Sequence, residues 1–140
     1  MNKVGYTCGV FDLLHEGHIN ILRNAKSMCD KLIVGLTTDN GVKYKFKNTI
    51  LKYDVRKTIL ESIKYVDLVI PQEDTDKVIA WEKIKFDYLF VGDDWHNTEK
   101  WNIMEEKLKK YNVKIIYFPY TKSCSTTLIK KNIINQKNIF

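Results

Sequence analysis

Short runs in which most residues are apolar, aromatic or β-branched recur along the 140-residue chain. They are KVGYTC (3–8), KLIVGLT (31–37), DLVI (67–70), DYLFVG (87–92) and VKIIYF (113–118). Apolar and polar positions do not alternate strictly within them, which is the pattern of strands buried on both faces. Between the runs, apolar residues return at helical spacing. HINILRNAKSMC (18–29) sets Ile19, Leu22, Ala25 and Cys29 on one side, and YDVRKTILESIKYV (53–66) does so with Val55, Ile59, Ile63 and Val66. WNIMEEKLKKYN (101–112) aligns Trp101, Met104 and Leu108. Strand and helix thus alternate five times, which predicts an α/β fold with right-handed crossovers. One domain spanning 1–140 is expected, since no repeat, low-complexity tract or Pro/Gly-rich linker divides the chain.

In a Rossmann-like, five-stranded parallel sheet flanked by helices, ligands bind beyond the carboxyl ends of the strands. GVFDLLHEGH (9–18), TTDNGVKYKFK (37–47), GDDWHN (92–97) and PYTKSCSTT (119–127) each follow a predicted strand and should meet on one rim. The first of these holds two of the three histidines. Read as strand end, turn and helix start, it assigns Gly9 a backbone geometry that a Cβ would forbid. Phe11 and the leucines pack the turn, and Asp12 holds the loop through nearby backbone amides. Gly17 lets a ligand approach the backbone between the imidazoles. Exposed amides and the helix dipole favour an anion there, so His15 and His18 form a phosphate clamp. No third and fourth ligand accompany the pair, so no protein-held metal is expected. Neither a Walker A nor a G-x-G-x-x-G sequence is present.

Charge sharpens the expectation of an anionic ligand. The net charge is +6, and no acidic residue follows Glu106 while eight lysines do. A second basic cluster holds Lys43, Lys45, Lys47, Lys52, Arg56 and Lys57. Nucleic acid, an acidic surface or a phosphorylated small molecule would each suit this balance. Nothing resembles a helix-turn-helix or RNP pattern, which disfavours a nucleic-acid module. At 44% hydrophobic and 29% charged residues the composition is that of a soluble globular protein. No apolar run is long enough to span a bilayer, so no membrane partner is expected. The opening residues lack a signal-peptide core, and the three cysteines have no zinc spacing, so a reducing cytoplasm is expected.

GVFDLLHEGH resembles the HxGH signature of the nucleotidyltransferase superfamily. Three companions narrow the resemblance: IKYVDLVI (63–70) is similar to the RYVDEVI element of cytidylyltransferases, FVGDDW (90–95) to their GDDW element and PYTKSCSTT to their RTEGISTT element. Their order and spacing resemble the small bacterial glycerol-3-phosphate cytidylyltransferases over about residues 3–131.

That resemblance implies transfer of CMP from CTP to a small phosphorylated alcohol, giving a CDP-alcohol and pyrophosphate for teichoic-acid or capsule synthesis. sn-Glycerol 3-phosphate is the first expectation. Phosphoethanolamine, another phosphorylated capsule precursor, or ATP-dependent adenylyl transfer are the alternatives. His15 and His18 would donate to the triphosphate and transition state, with Lys45 as the third catalytic group. Val10, Phe11, Glu16, Gly17, Lys47, Asp94, Thr121, Ser125, Thr126 and Thr127 would contact the nucleotide. Asp12, Lys45, Arg56 and Lys77 would serve the acceptor, with Arg56 supporting either the phosphates or the lysine loop. Mg²⁺ bound with CTP and a homodimer are also implied. The family's arginines are replaced by Tyr120 in the last element and Lys64 in RYVD, with Lys122 as a substitute cation.

Overall fold

The computed structural model describes residues 2–43, 49–73, 76–92, 98–119 and 126–137. Its elements run β1 (Val4–Gly9), α1 (Glu16–Ser27), β2 (Lys31–Thr37), α2 (Asp39–Lys43), α3 (Tyr53–Glu61), β3 (Leu68–Gln72), α4 (Lys77–Ile84), β4 (Tyr88–Gly92), α5 (Glu99–Lys110), β5 (Lys114–Phe118) and α6 (Thr126–Lys137). All strand pairs are parallel. The sheet order is β3-β2-β1-β4-β5. The chain therefore winds outward from β1 through β2 to β3, returns to the centre, and winds outward again through β4 to β5. Among the described residues no helix is long and apolar enough to cross a membrane.

The apolar runs became strands because both faces of the sheet are covered. On one face Tyr6, Ile33, Leu89 and Val91 pack with Ala80 of α4 and with Trp101 and Leu108 of α5. On the other, Leu32, Val34, Leu36, Val69 and Phe90 pack with Leu22 and Ala25 of α1 and Leu60 of α3. Leu22, Leu32, Val34, Leu36, Leu60, Leu89, Phe90 and Leu108 are wholly withdrawn from solvent. Burying each such side chain contributes about 1.5–3 kcal/mol.

Two expectations are corrected. In α3 the inward face carries Arg56 and Leu60, while Val55 is 47% exposed. The apolar count missed this register because a buried position is occupied by arginine. Ile63 and Val66 lie beyond the helix, in the turn leading to β3, where they pack on the same core. Gly9, secondly, is an ordinary strand residue, and no glycine among the described residues has positive φ. The left-handed positions are Phe11 (φ 49°) and Leu13 (φ 50°). What a side chain would meet at Gly9 is a tight contact instead, since a Cβ there would lie 3.1 Å from the Phe11 ring.

Helix α4 has no counterpart among the helical stretches read from the pattern. It begins where the Asp76 side chain accepts from Val78 N–H (2.8 Å) and ends at Lys85 in the left-handed region. Ala80 is buried in the core and Val78, Trp81 and Ile84 pack around it, so no polar face stands out in eight residues.

The rim at the amino ends of the strands is fastened by aspartates. Asp30 accepts from Lys3 N–H (2.6 Å), Asp67 from Leu32 N–H (2.7 Å) and Asp87 from Val4 N–H (2.9 Å). Asp67, from the IKYVDLVI element, also pairs with Lys26 at 2.5 Å. These carboxylates stitch strand starts together at the end opposite the carboxyl rim.

Candidate active site

β1 and β4 are central neighbours from which the chain winds away in opposite directions. A crevice opens at such a switch point beyond the carboxyl ends, and the β1–α1 loop occupies it. His15 is the N-cap of α1, with extended backbone (φ −136°, ψ −179°). Its Nδ1 accepts from Gly17 N–H at 3.0 Å, and His15 N–H donates to His18 Nδ1 at 3.2 Å. This is a capping box built from two histidines instead of Ser/Thr and Glu.

The box dictates the protons. A neutral imidazole whose Nδ1 accepts must carry its hydrogen on Nε2. Both rings therefore present an Nε2–H donor, and their Nδ1 atoms are taken by the helix start. The rings stack with centroids 3.9 Å apart, and Phe11 lies 5.3 Å from His18. Two imidazoles, each with an Nε2–H left to donate, beside the first amides of α1 are suited to hold an anion.

Burial lowers His15 below the usual imidazole range. His18 is pushed down to about 4 by burial and by His15, with the Asp12 carboxylate opposing. An unfolded histidine titrates near 6.5, so the unfolded chain binds the extra proton as pH falls from about 6.5 to about 4. Stability from His18 is therefore complete above about pH 6.5 and is lost as pH falls toward 4. The acid limb of a rate–pH profile is expected well below 6.5. A limb centred on 6.5 would mean an ordinary imidazole and remove the half-buried, neutral pair.

Asp12 is 5% exposed and joins distant segments. Its carboxylate accepts from Ile50 N–H (2.8 Å) and Leu51 N–H (3.0 Å), and Lys130 Nζ lies 3.3 Å away. Burial alone would raise its pKa, but the two amides and Lys130 together hold it below the usual carboxylate range. The amides it holds are not those of its own loop, as read from the sequence, but of the segment following the lysine cluster.

Arg56 is 1% exposed. Nε donates to Leu51 O (3.0 Å), one terminal nitrogen to Val10 O and Thr37 O (both 2.8 Å), and the other to Asp39 (2.8 Å). These partners belong to the histidine loop, the end of β2, α2 and the Leu51 segment, whereas the lysine segment 44–48 lies outside the described residues. Val10 uses its carbonyl in that network. Asp39 also accepts from Tyr53 N–H at 3.2 Å. Asp39 and Lys130 were not singled out by sequence, because their partners are brought close only by the fold.

Glu16 and Gly17 open α1, the first exposed and the second buried. Lys77 opens α4, is 8% exposed, and directs its N–H at Met104 Sδ (3.3 Å). Lys64 is exposed with Nζ 5.2 Å from the Tyr65 ring. Thr126 and Thr127 lie in the first turn of α6, as expected of a helix starting there. Lys45, Lys47, Asp94, Trp95, His96, Tyr120, Thr121, Lys122 and Ser125 lie outside the described residues. Among the described residues no three His, Cys, Asp or Glu side chains converge to hold a metal.

Paired imidazoles capping a helix start, at the switch point of a doubly wound parallel sheet, fit an α/β domain of the nucleotidyltransferase-like fold. The family model described as cytidylyltransferase-like matches residues 6–132, and the chain belongs to that family. It is 41% identical over 128 residues to the glycerol-3-phosphate cytidylyltransferase of Staphylococcus aureus (strain NCTC 8325 / PS 47), covering 91% of this chain and 92% of that protein. It is 39% identical to the glycerol-3-phosphate cytidylyltransferase of Bacillus subtilis (strain 168), covering 95% and 98% respectively. Among solved structures, the lipopolysaccharide core biosynthesis protein from Thermoplasma volcanium GSS1 superposes with a TM-score of 0.71 at 25% identity, over 85% of this chain and 96% of that one.

Proposed function

We propose that the protein transfers a cytidylyl group from CTP to sn-glycerol 3-phosphate. A phosphate oxygen of the acceptor attacks the α-phosphorus in line. The bond from that phosphorus to the oxygen bridging the β-phosphate breaks, pyrophosphate leaves, and CDP-glycerol remains. The observation that carries this reading is the histidine capping box, which commits both Nδ1 atoms to backbone amides and leaves each ring an Nε2–H to donate to a phosphate oxygen. The relatives' shared name and near-complete coverage support the same substrates.

In this reading His15 and His18 bind oxygens on the transferring phosphoryl group, where negative charge grows in the transition state. The first amides of α1 add to them. Lys45 and Lys47 bring the two anions together, and Thr126 and Thr127, at the start of α6, meet the outer phosphates with Thr121 and Ser125. Mg²⁺ would arrive bound to CTP and would neutralise part of the triphosphate's charge, while the chain's own groups bind and orient the substrates. The product suits assembly of teichoic acid or capsule in the cytoplasm, by a homodimer.

Pyrophosphate release tests the reading, with CTP or ATP, Mg²⁺ and either glycerol 3-phosphate or phosphoethanolamine. Release with CTP and glycerol 3-phosphate alone is expected. Turnover with ATP in place of CTP would overturn the nucleotide assignment, and turnover with phosphoethanolamine alone would overturn the acceptor.

A further inference from the structure

The two strands at the centre of the sheet do not stay paired as far as the rim. β1 pairs with β2 along its whole length, from Val4 to Gly9, and β4 pairs with β5 from Tyr88 to Gly92. Between β1 and β4, among the described residues, only Gly5 with Tyr88 and Tyr6 with Leu89 are ladder partners. From Thr7 and Phe90 onward the ladder between them stops, while each strand keeps its outer neighbour. The two central strands therefore part toward their carboxyl ends.

Burial changes at the same step. Gly5, Tyr6 and Thr7 are buried, whereas Cys8 and Gly9 are half-buried. The neighbouring strand β2 stays buried to its last residue, Thr37. That contrast places an opening on the β4 side of β1. At its base the Thr7 hydroxyl, on a residue 4% exposed, donates to the Phe90 carbonyl at 3.0 Å. This side-chain bond ties the strands one residue beyond their last ladder pair, so it forms the floor of the opening. The walls are the two strand ends, which finish in Gly9 and Gly92. Glycine at such a place lets a ligand approach the main chain closely.

Resting on the cytidylyl-transfer reading above, we propose that Thr7 is a positioning residue for CTP, whose hydroxyl fixes where β1 and β4 part and so the depth of the slot that receives the nucleoside. The slot lies at the switch point of the sheet, where ligands of such folds bind. It adjoins the histidine loop, which follows β1 directly. A triphosphate on His15 and His18 thus leaves its nucleoside beside the parted strand ends.

Three variants separate the hydroxyl from the methyl group. Thr7→Val keeps the size and removes the donor, Thr7→Ser keeps the donor and removes the methyl, and Thr7→Ala removes both. Thermal midpoints are measured on each, with the KM for CTP and for glycerol 3-phosphate determined separately. Thr7→Val and Thr7→Ala are expected to raise the KM for CTP about fivefold or more, since a buried carbonyl loses its donor. Thr7→Ser should stay within about twofold of the parent for CTP, although its thermal midpoint falls with the lost methyl. The KM for glycerol 3-phosphate should change less than about twofold in all three. Should the valine variant not fold, Thr7→Ala against Thr7→Ser makes the same comparison.

A CTP KM that tracks the thermal midpoint instead of the hydroxyl would overturn the proposal, because a merely structural threonine behaves in that way. So would an unchanged CTP KM in the variants lacking the hydroxyl, or an equal rise in both KM values. Calorimetric binding of CTP to the parent and variants gives the same comparison without turnover. A parent that binds no CTP would overturn the function reading itself.

Discussion

Exchanging His18 for asparagine is expected to leave the thermal midpoint close to that of the parent and to lower kcat about 10²–10³-fold. The amide oxygen of asparagine falls near the place of Nδ1, where it can still accept from His15 N–H, but nothing remains at the place of Nε2. Glutamine makes the opposite exchange. Its amide nitrogen reaches the Nε2 position and can donate, while the acceptor that completes the cap is lost. His18→Gln should therefore retain more of the rate than asparagine and lose about 0.5–2 kcal/mol of stability. Thermal denaturation and kcat at saturating CTP, measured on both variants, separate the two nitrogens of one ring. Full activity in His18→Asn would remove Nε2 from the chemistry.

The largest stability effect is expected at Arg56. A wholly buried guanidinium donates to three carbonyls and to Asp39, and these come from the histidine loop, the end of β2, the Leu51 segment and α2. Removing it in Arg56→Met strands several buried acceptors at once, which costs about 3–5 kcal/mol. Arg56→Lys should recover less than half of this, because an ammonium cannot reproduce the planar fork that spans four acceptors. Asp39→Asn should cost about 1 kcal/mol at most, since that carboxylate is 48% exposed and weakly coupled. Urea denaturation of the three variants checks the order. An Arg56→Met protein as stable as the parent would show that the loops hold their positions without the tie.

Arg56 also illustrates where reading a pattern of apolar residues fails. In α3 the spacing of Val55, Ile59 and Ile63 suggests an inward face, yet Val55 faces solvent and Arg56 and Leu60 face the core. Apolar residues at helical spacing locate a helix reliably but identify its buried side only when the core is wholly apolar. Here a polar network occupies one buried position and turns the helix by about a residue. Helix α4 was lost for the opposite reason, since apolar side chains on several sides leave no contrast to read.

The histidine motif was legible as chemistry because its parts are adjacent in the chain. Gly17, His15 and His18 lie within one helical turn, so a pair of imidazoles at a helix start could be anticipated from their order alone. The particular device could not. That both Nδ1 atoms are consumed by the cap follows from rotamers and from the extended backbone of His15, neither of which is written in residue identity.

Five parallel strands, the alternation with helices and the two histidines at a helix start were determined by the sequence itself. Each depends on residues near one another in the chain, whose periodicity and local geometry carry the information. The tertiary structure decided the rest. Asp12 reaches amides 38 and 39 residues away, and Arg56 reaches the Val10 carbonyl 46 residues away. Which distant segments share a carboxylate depends on strand order and helix placement. A side chain's own neighbours in sequence contain no trace of either, so these ties exist only once the sheet has brought its carboxyl ends together.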